Sequence, residues 1–151
     1  MQLSTNFSLA EAVKSQTALR CGIDNTPDAT QIGCLRLVAE RILQPVRDHY
    51  AVPFTPSSWF RSVELCEKIG SKATSQHAKG QAADFEVPGT ANADLARWIS
   101  ENLDFDQLIL EFWKDGDPAA GWVHCSFVAA EGNRREVLRF DGTRFLPGLP
   151  G

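Results

Sequence analysis

Ser75-Gln76-His77-Ala78-Lys79-Gly80-Gln81-Ala82-Ala83-Asp84 is the stretch around which the rest of the chain reads as organised. It puts an imidazole in a loop, a glycine three residues on, and a carboxylate inside an alanine-rich run that reads as a strand. Small side chains at 80, 82 and 83 leave room for loop and strand to fold round one point. A carboxylate in such a strand needs a charged partner, because an unpaired buried charge is strongly disfavoured. A second segment, Trp122-Val123-His124, brings another imidazole from a distant strand. Two imidazoles and a carboxylate suit zinc, and three protein ligands leave one position open for water. His77, Asp84 and His124 are therefore the expected metal ligands.

Hydrolysis at such a centre also needs a general base to take the proton from water and hand it to the leaving amine. Glu111 is the expected one. If 105–113 and 122–127 form a hairpin around the Lys114–Gly121 loop, Trp113 pairs with Trp122, and Glu111 lies opposite His124 on the same face. A slip of one residue would turn Glu111 to the other face. Asp115 and Asp117 in the loop are alternatives. Each of these residues also has a purely structural reading: His77 as a loop hydrogen-bonder, Asp84 as a turn or capping acid, Glu111 as a solvated strand residue. Cys125 beside His124 suggests a Cys/His nucleophile, but neighbours on a strand point to opposite faces, so the pairing is geometrically poor.

Away from this constellation, Ser8 and Glu11 form a capping box for a short helix ending near Ser15-Gln16-Thr17, followed by a loop at 21–25. Thr26-Pro27-Asp28 opens the longest helix, with Thr26 as its cap and Pro27 in the first turn. Its apolar face is Ile32, Leu35, Val38, Ala39, Ile42, Leu43 and Val46, and Pro45 should kink it. His49 lies at its polar end, where an imidazole suits the helix dipole. Phe54–Phe60 reads as a strand that Pro56 confines to an edge or a bulge. A short helix follows over 62–69, then strands over 82–87, 105–113, 122–127 and 136–140, with a helix from Asn92 or Ala93 to Leu103. Helices come first and strands cluster late, which is an α+β pattern with a mostly antiparallel sheet. Residues 1–151 read as a single domain, with 1–6 and 146–151 as frayed ends.

The bulk composition narrows the function. The chain has 151 residues, is 43% hydrophobic and 23% charged, and carries a formal charge of −4. These are globular values for a chain long enough to form its own core. Nothing favours nucleic acid: the one basic cluster, Arg134, Arg135, Arg139 and Arg144, is broken by Glu136 and Asp141 and reads as solvated surface. No stretch approaches the roughly 20 apolar residues of a membrane span. The N-terminus has neither the basic flank nor the apolar run of a secretory signal. Cytoplasmic synthesis and a monomer are expected. The four cysteines have no zinc-finger spacing and read as free thiols.

Ser75-Gln76-His77-x-x-Gly80-x-Ala82-x-Asp84 resembles the SxHxxGxAxD signature of the M15 zinc peptidases, which include D-alanyl-D-alanine carboxypeptidases and phage-type peptidoglycan endopeptidases. Trp122-Val123-His124 resembles that family's second motif. Phe7-Ser8-Leu9-Ala10-Glu11, Gly22-Ile23-Asp24-Asn25, Arg61-Ser62, Phe105–Ile109 and Trp122–Phe127 are similar to the branch of the family common in phages and prophages. The resemblance implies a hedgehog/DD-peptidase fold, with helices packed on one side of the sheet. It implies zinc held by His77, Asp84 and His124, and a peptide bond of bacterial peptidoglycan as substrate. It gives Arg61 the role of binding the substrate carbonyl or carboxylate, and places Ser75, Gln76 and Trp122 along the substrate cleft. A phage endolysin reaching the wall after holin-type release would need no signal of its own. One departure stands out. Several members carry an acid three residues before the last histidine ligand, where this chain has Gly121. That departure also motivates an alternative, a non-catalytic zinc-containing cell-wall-binding or phage structural module.

Overall fold

The computed structural model describes all of residues 1–151. Its helices begin where side chains can cap them. Ser8 accepts from the Glu11 backbone while Glu11 reaches back, starting α1 (Leu9–Val13). Ser15 then caps a second short helix, α2 (Gln16–Cys21), where the sequence suggested an ending. A serine after a helix can cap the next one as readily as mark a loop. The long helix is capped by Asp28 rather than Thr26, through a capping box with Gln31.

That helix runs as α3 (Ala29–Val38), a π-helical turn (Ala39–Leu43) and α4 (Gln44–Tyr50). The wide turn lies immediately before Pro45, which has no N–H to give the helix ladder. Gln44 N–H reaches back to Ala39 O, and the chain absorbs the proline without breaking. Leu35, Val38, Ala39, Ile42, Leu43 and Val46 are all fully buried, as their spacing predicts.

Phe54–Phe60 is not a strand. Pro53 and Pro56 remove donors, and the segment keeps a single bridge, Ser58 beside Asp84. Two bonds hold it there, Asp84 N to Ser58 O (2.7 Å) and Ser57 N to Asp84 O (2.9 Å). Ser62 caps α5 (Val63–Lys68), and α6 spans Asn92–Asn102.

Five strands form one sheet: β1 (Ala82–Phe85), β2 (Gln107–Glu111), β3 (Trp122–Ser126), β4 (Glu136–Phe140) and β5 (Phe145–Pro147), in the order β1-β3-β2-β4-β5. All pairings are antiparallel except β2 with β4. This is the expected α+β architecture, in a single small domain. Side chains alternate across the sheet. Ala83, Phe85, Leu108, Leu110, Val123 and Cys125 join the helices in the core. Asp84, Ile109, Glu111, Trp122 and His124 occupy the opposite face.

Both ends make specific contacts with the rest of the domain. Leu3 is buried and Leu9 N–H bonds to Met1 O. At the other end β5 pairs with β4, and Arg97 donates to Pro150 O at 2.6 Å. No helix is long and apolar enough to cross a membrane.

Candidate metal centre

His77 is positioned by its own motif. Ser75 Oγ accepts the His77 N–H, holding a 3₁₀ turn over Gln76–Lys79. Gly80 ends the turn at φ +75, and a Cβ there would lie 2.7 Å from the Gln31 carbonyl oxygen on α3. Glycine is thus demanded twice, by its left-handed backbone and by close packing. Ala82 and Ala83 are fully buried, and β1 carries Asp84 directly beside His124 of β3.

The three expected ligands come together. Asp84 Oδ1 lies 3.0 Å from His124 Nδ1 and 3.3 Å from His77 Nε2. All three residues are buried, and their ligand atoms lie within 4.8 Å of one another. Around a tetrahedral zinc with bonds of about 2.1 Å, ligand atoms sit roughly 3.4 Å apart, close to the two spacings that Asp84 Oδ1 makes with the imidazoles.

The hydrogen bonds sharpen the fit. His77 Nδ1 lies 2.7 Å from Trp59 O. A carbonyl can only accept, so Nδ1 carries the hydrogen, and a neutral His77 points the Nε2 lone pair at the Asp84 carboxylate. Two acceptors 3.3 Å apart need a cation between them, either a proton or a metal. A backbone carbonyl fixing the ring of a histidine ligand is the usual supporting arrangement for one. Burial alone would raise the Asp84 carboxyl, but the imidazoles of His124 and His77 beside it overcome this and hold it well below the usual range.

Arg61 reaches the centre from behind. Its Nη2 donates to Asp84 Oδ2 at 3.0 Å and its Nε donates to Ser58 Oγ at 2.6 Å. Its partner is the candidate ligand, not Glu64 or Glu67 of the adjoining helix. Trp59 and Ser58 are contributors that the sequence did not single out. One acts through a backbone carbonyl and the other through a common hydroxyl, and neither leaves a mark in residue types.

Glu111 lies on the metal face, but not where the hairpin was expected to put it. Ile109 stands opposite His124, and Glu111 opposite Trp122. The register is offset by two residues, which preserves the face and moves Glu111 to the diagonal position. The hairpin closes early because Phe112 (φ +52) and Gly121 (φ +72) both turn left-handed. Trp113 then leaves β3 altogether and donates its N–H to Phe140 O. Burial pushes the Glu111 carboxyl up, and Asp84 adds to this, while His124 and Arg61 oppose it. Asp115 and Asp117 line a separate cavity with Asp94, Arg97 and Trp113, so the loop acids are not brought to the cluster.

Gly121 answers the departure from the motif. A Cβ at this position would lie 1.7 Å from the Glu111 carbonyl oxygen. No acidic side chain fits there, and the carboxylate on this face belongs to the residue across the hairpin.

Of the residues expected along the cleft, Trp122 is half-buried with its ring against Phe112, centroids 5.0 Å apart. Gln76 donates to Asp106 Oδ2 at 2.9 Å. Asp106 also receives the Arg134 backbone N–H and a forked pair from its guanidinium. Arg134 and, less strongly, Gln76 hold the Asp106 carboxyl down at about 2. A carboxyl lowered on folding stabilises the fold above its unfolded value of about 3.9, and loses that contribution as the pH falls towards 2. Arg134→Ala is expected to lower stability at neutral pH by about 1–2 kcal/mol, because Arg134 is half-exposed and its pairing partly screened. In urea unfolding the deficit should shrink at about pH 3; a deficit unchanged with pH would disprove the charge pairing.

The remaining arginines of the basic cluster are engaged internally. Arg135 lies over the Phe105 ring, Arg139 over the Trp113 ring, and Arg144 beside Asp141. Cys125 faces the core, and full burial raises its thiol far above the usual range. A Cys125 nucleophile is thereby excluded. His49 stacks on Trp98, far from the cluster in role and partners.

Comparison with known proteins adds one match. The sequence model of a family described as Peptidase M15 matches residues 5–126, which include every strand and turn that builds the cluster. No curated protein matches the chain.

Proposed function

Because this chain belongs to the peptidase M15 family, we propose that it is a zinc-dependent peptidase that cuts a peptide bond in bacterial peptidoglycan. The observation that carries the reading is the buried His77–Asp84–His124 set, with the acceptor pair that calls for a cation. His77 Nε2, Asp84 Oδ1 and His124 Nδ1 would hold the ion. Zinc, when bound, would polarise the scissile carbonyl and make water a better nucleophile at neutral pH.

The chain's own groups supply the rest. Glu111 accepts the proton of the attacking water and returns it to the leaving amine nitrogen, and its raised affinity for a proton suits both halves of that exchange. Arg61 keeps Asp84 ionised and oriented, and its unused N–H groups are directed to the substrate carbonyl or carboxylate. Ser75, Gln76 and Trp122 line the cleft. An endolysin that acts on the wall from within a host cell fits this chemistry and the family habit.

The test is amine release from purified sacculi. Wild type should release new amino termini, and a chelator should abolish release. Glu111→Gln should keep zinc, measured by metal analysis, and lose activity by about 100-fold or more, the typical worth of a positioned general base. Full activity in Glu111→Gln would remove Glu111 from the mechanism. Zinc and sacculus binding without amine release by wild type would favour the non-catalytic wall-binding module instead.

A further inference from the structure

Gln76 immediately precedes the candidate ligand His77, and its side chain ends on Asp106, where Nε2 donates to Oδ2 at 2.9 Å. Asp106 is buried and lies beside Ser126, since its own N–H donates to Ser126 O at 2.8 Å. Ser126 shares the ligand face of β3 with His124 and stands two residues further along, a distance of about 7 Å. Glu111 and Trp122 occupy the opposite end of that face. The Gln76 side chain therefore runs along the end of the cluster away from Glu111.

A glutamine amide can turn either its NH2 or its oxygen to a neighbour, and the neighbour decides which. Asp106 is held ionised, with Arg134 the main cause, so it can only accept. Arg134 fills most of its lone-pair directions. The Arg134 backbone N–H and Nε donate to Oδ1 at 3.0 and 3.1 Å, and Nη2 donates to Oδ2 at 2.8 Å. A carboxylate offers about four such directions, and Gln76 takes the one that is left on Oδ2. Asp106 thus sets which end of the amide it meets, and Arg134 holds the plane of the carboxylate. With its NH2 committed, Gln76 turns Oε1 the other way. That oxygen receives no hydrogen bond and is not sealed in the interior.

We propose that Arg134 is a positioning residue for the substrate: acting through Asp106, it locks the Gln76 amide so that Oε1 accepts a backbone N–H of the peptide. This rests on the peptidase reading above. It adds a residue from outside the family match, which ends at residue 126. An acceptor fixed in advance need not be ordered when the peptide binds, and it favours an N–H over a carbonyl or carboxylate. Without Arg134 the Asp106 carboxylate is free to turn, and Gln76 loses the anchor that aims it.

The probe is a synthetic stem peptide, given to zinc-loaded proteins of verified metal content well below their unfolding transitions. Arg134→Ala should raise KM about tenfold, the worth of one hydrogen bond, and leave kcat within about twofold. Gln76→Ala should do the same, and the double variant should be no worse than either single one. Arg134→Lys, which keeps the charge but not the fork, should recover part of the loss. A second readout needs no turnover. In 1H–15N spectra of the metal-free protein, one Gln76 Nε2 hydrogen should lie well downfield of the free-amide position and return towards it in Arg134→Ala. An unchanged KM, a loss confined to kcat, additive losses in the double variant, or a Gln76 signal indifferent to Arg134 would each overturn the proposal. If wild type cuts no peptide, the peptidase reading fails. The calorimetric Kd of the same peptide then replaces KM in these comparisons, and absence of binding overturns the proposal as well.

Discussion

Asp84→Asn is expected to strip the protein of zinc and of hydrolytic activity together. The substitution keeps the side chain's shape, so packing in β1 should survive. What it removes is the one negative charge placed between two imidazoles and a guanidinium. Structural zinc sites are worth about 10–16 kcal/mol over their full ligand set, so losing an anionic ligand should weaken affinity on the order of a thousandfold. The metal-free variant should also be less stable than metal-free wild type by about 2–3 kcal/mol, because Arg61 is left largely buried without its counter-charge. The pH dependence has a definite sign. The folded-state carboxyl of Asp84 is depressed, so its contribution is complete above the unfolded value of about 3.9 and is lost on further acidification. The stability gap between wild type and variant should therefore close in strong acid. Metal analysis after dialysis against buffered zinc, with chemical unfolding of the apo forms, checks both claims. Retention of wild-type zinc affinity would remove Asp84 from the ligand set.

Gly121→Ala should destabilise the fold by about 3 kcal/mol or more, since it combines a left-handed residue with a backbone collision. The added methyl meets the Glu111 carbonyl oxygen at 1.7 Å, and a backbone atom held in a β-ladder has little room to retreat. In a domain of this size such a loss corresponds to a fall in Tm of roughly 6–12 °C. Activity measured well below the transition should fall too, because relief of the clash must move Glu111 relative to His124. A drop of less than about 2 °C, by the same conversion, would mean that the hairpin has a second conformation open to it.

The clustering of His77, Asp84 and His124 was legible because candidate residues are few and their spacing is constrained. The chain has three histidines, and one of them, His77, lies in a segment whose small residues at 80, 82 and 83 make room for side chains to converge. The core of the long helix was equally legible, since a run of apolar positions at helical spacing leaves little choice. The register of the β2–β3 hairpin was not. It depends on Phe112 adopting a left-handed backbone, which nothing about phenylalanine announces, and an expectation built on pairing the two tryptophans fell two residues out. The face of Glu111 survived because two is the period of a strand. Thr26 was preferred over Asp28 as a cap because the Thr-Pro pair is the more familiar signal, whereas the capping box with Gln31 decided the matter. Phe54–Phe60 looked like a strand from its aromatic and β-branched residues, but its prolines leave too few donors for a ladder.

The parallel strand β4 bears on self-association. Without it, β2 would be an edge strand: the row of free N–H and C=O groups beside Ile109 and Glu111 would be open to any passing extended chain, and Leu108 and Leu110 would make that edge sticky. β4 occupies this edge, and β5 in turn covers β4 with a three-residue strand too short to template much further pairing. Both lie beyond residue 126, outside the family match. The C-terminal segment can therefore be understood as a guard against aggregation, one that keeps the strand bearing Glu111 from being recruited into intermolecular sheets.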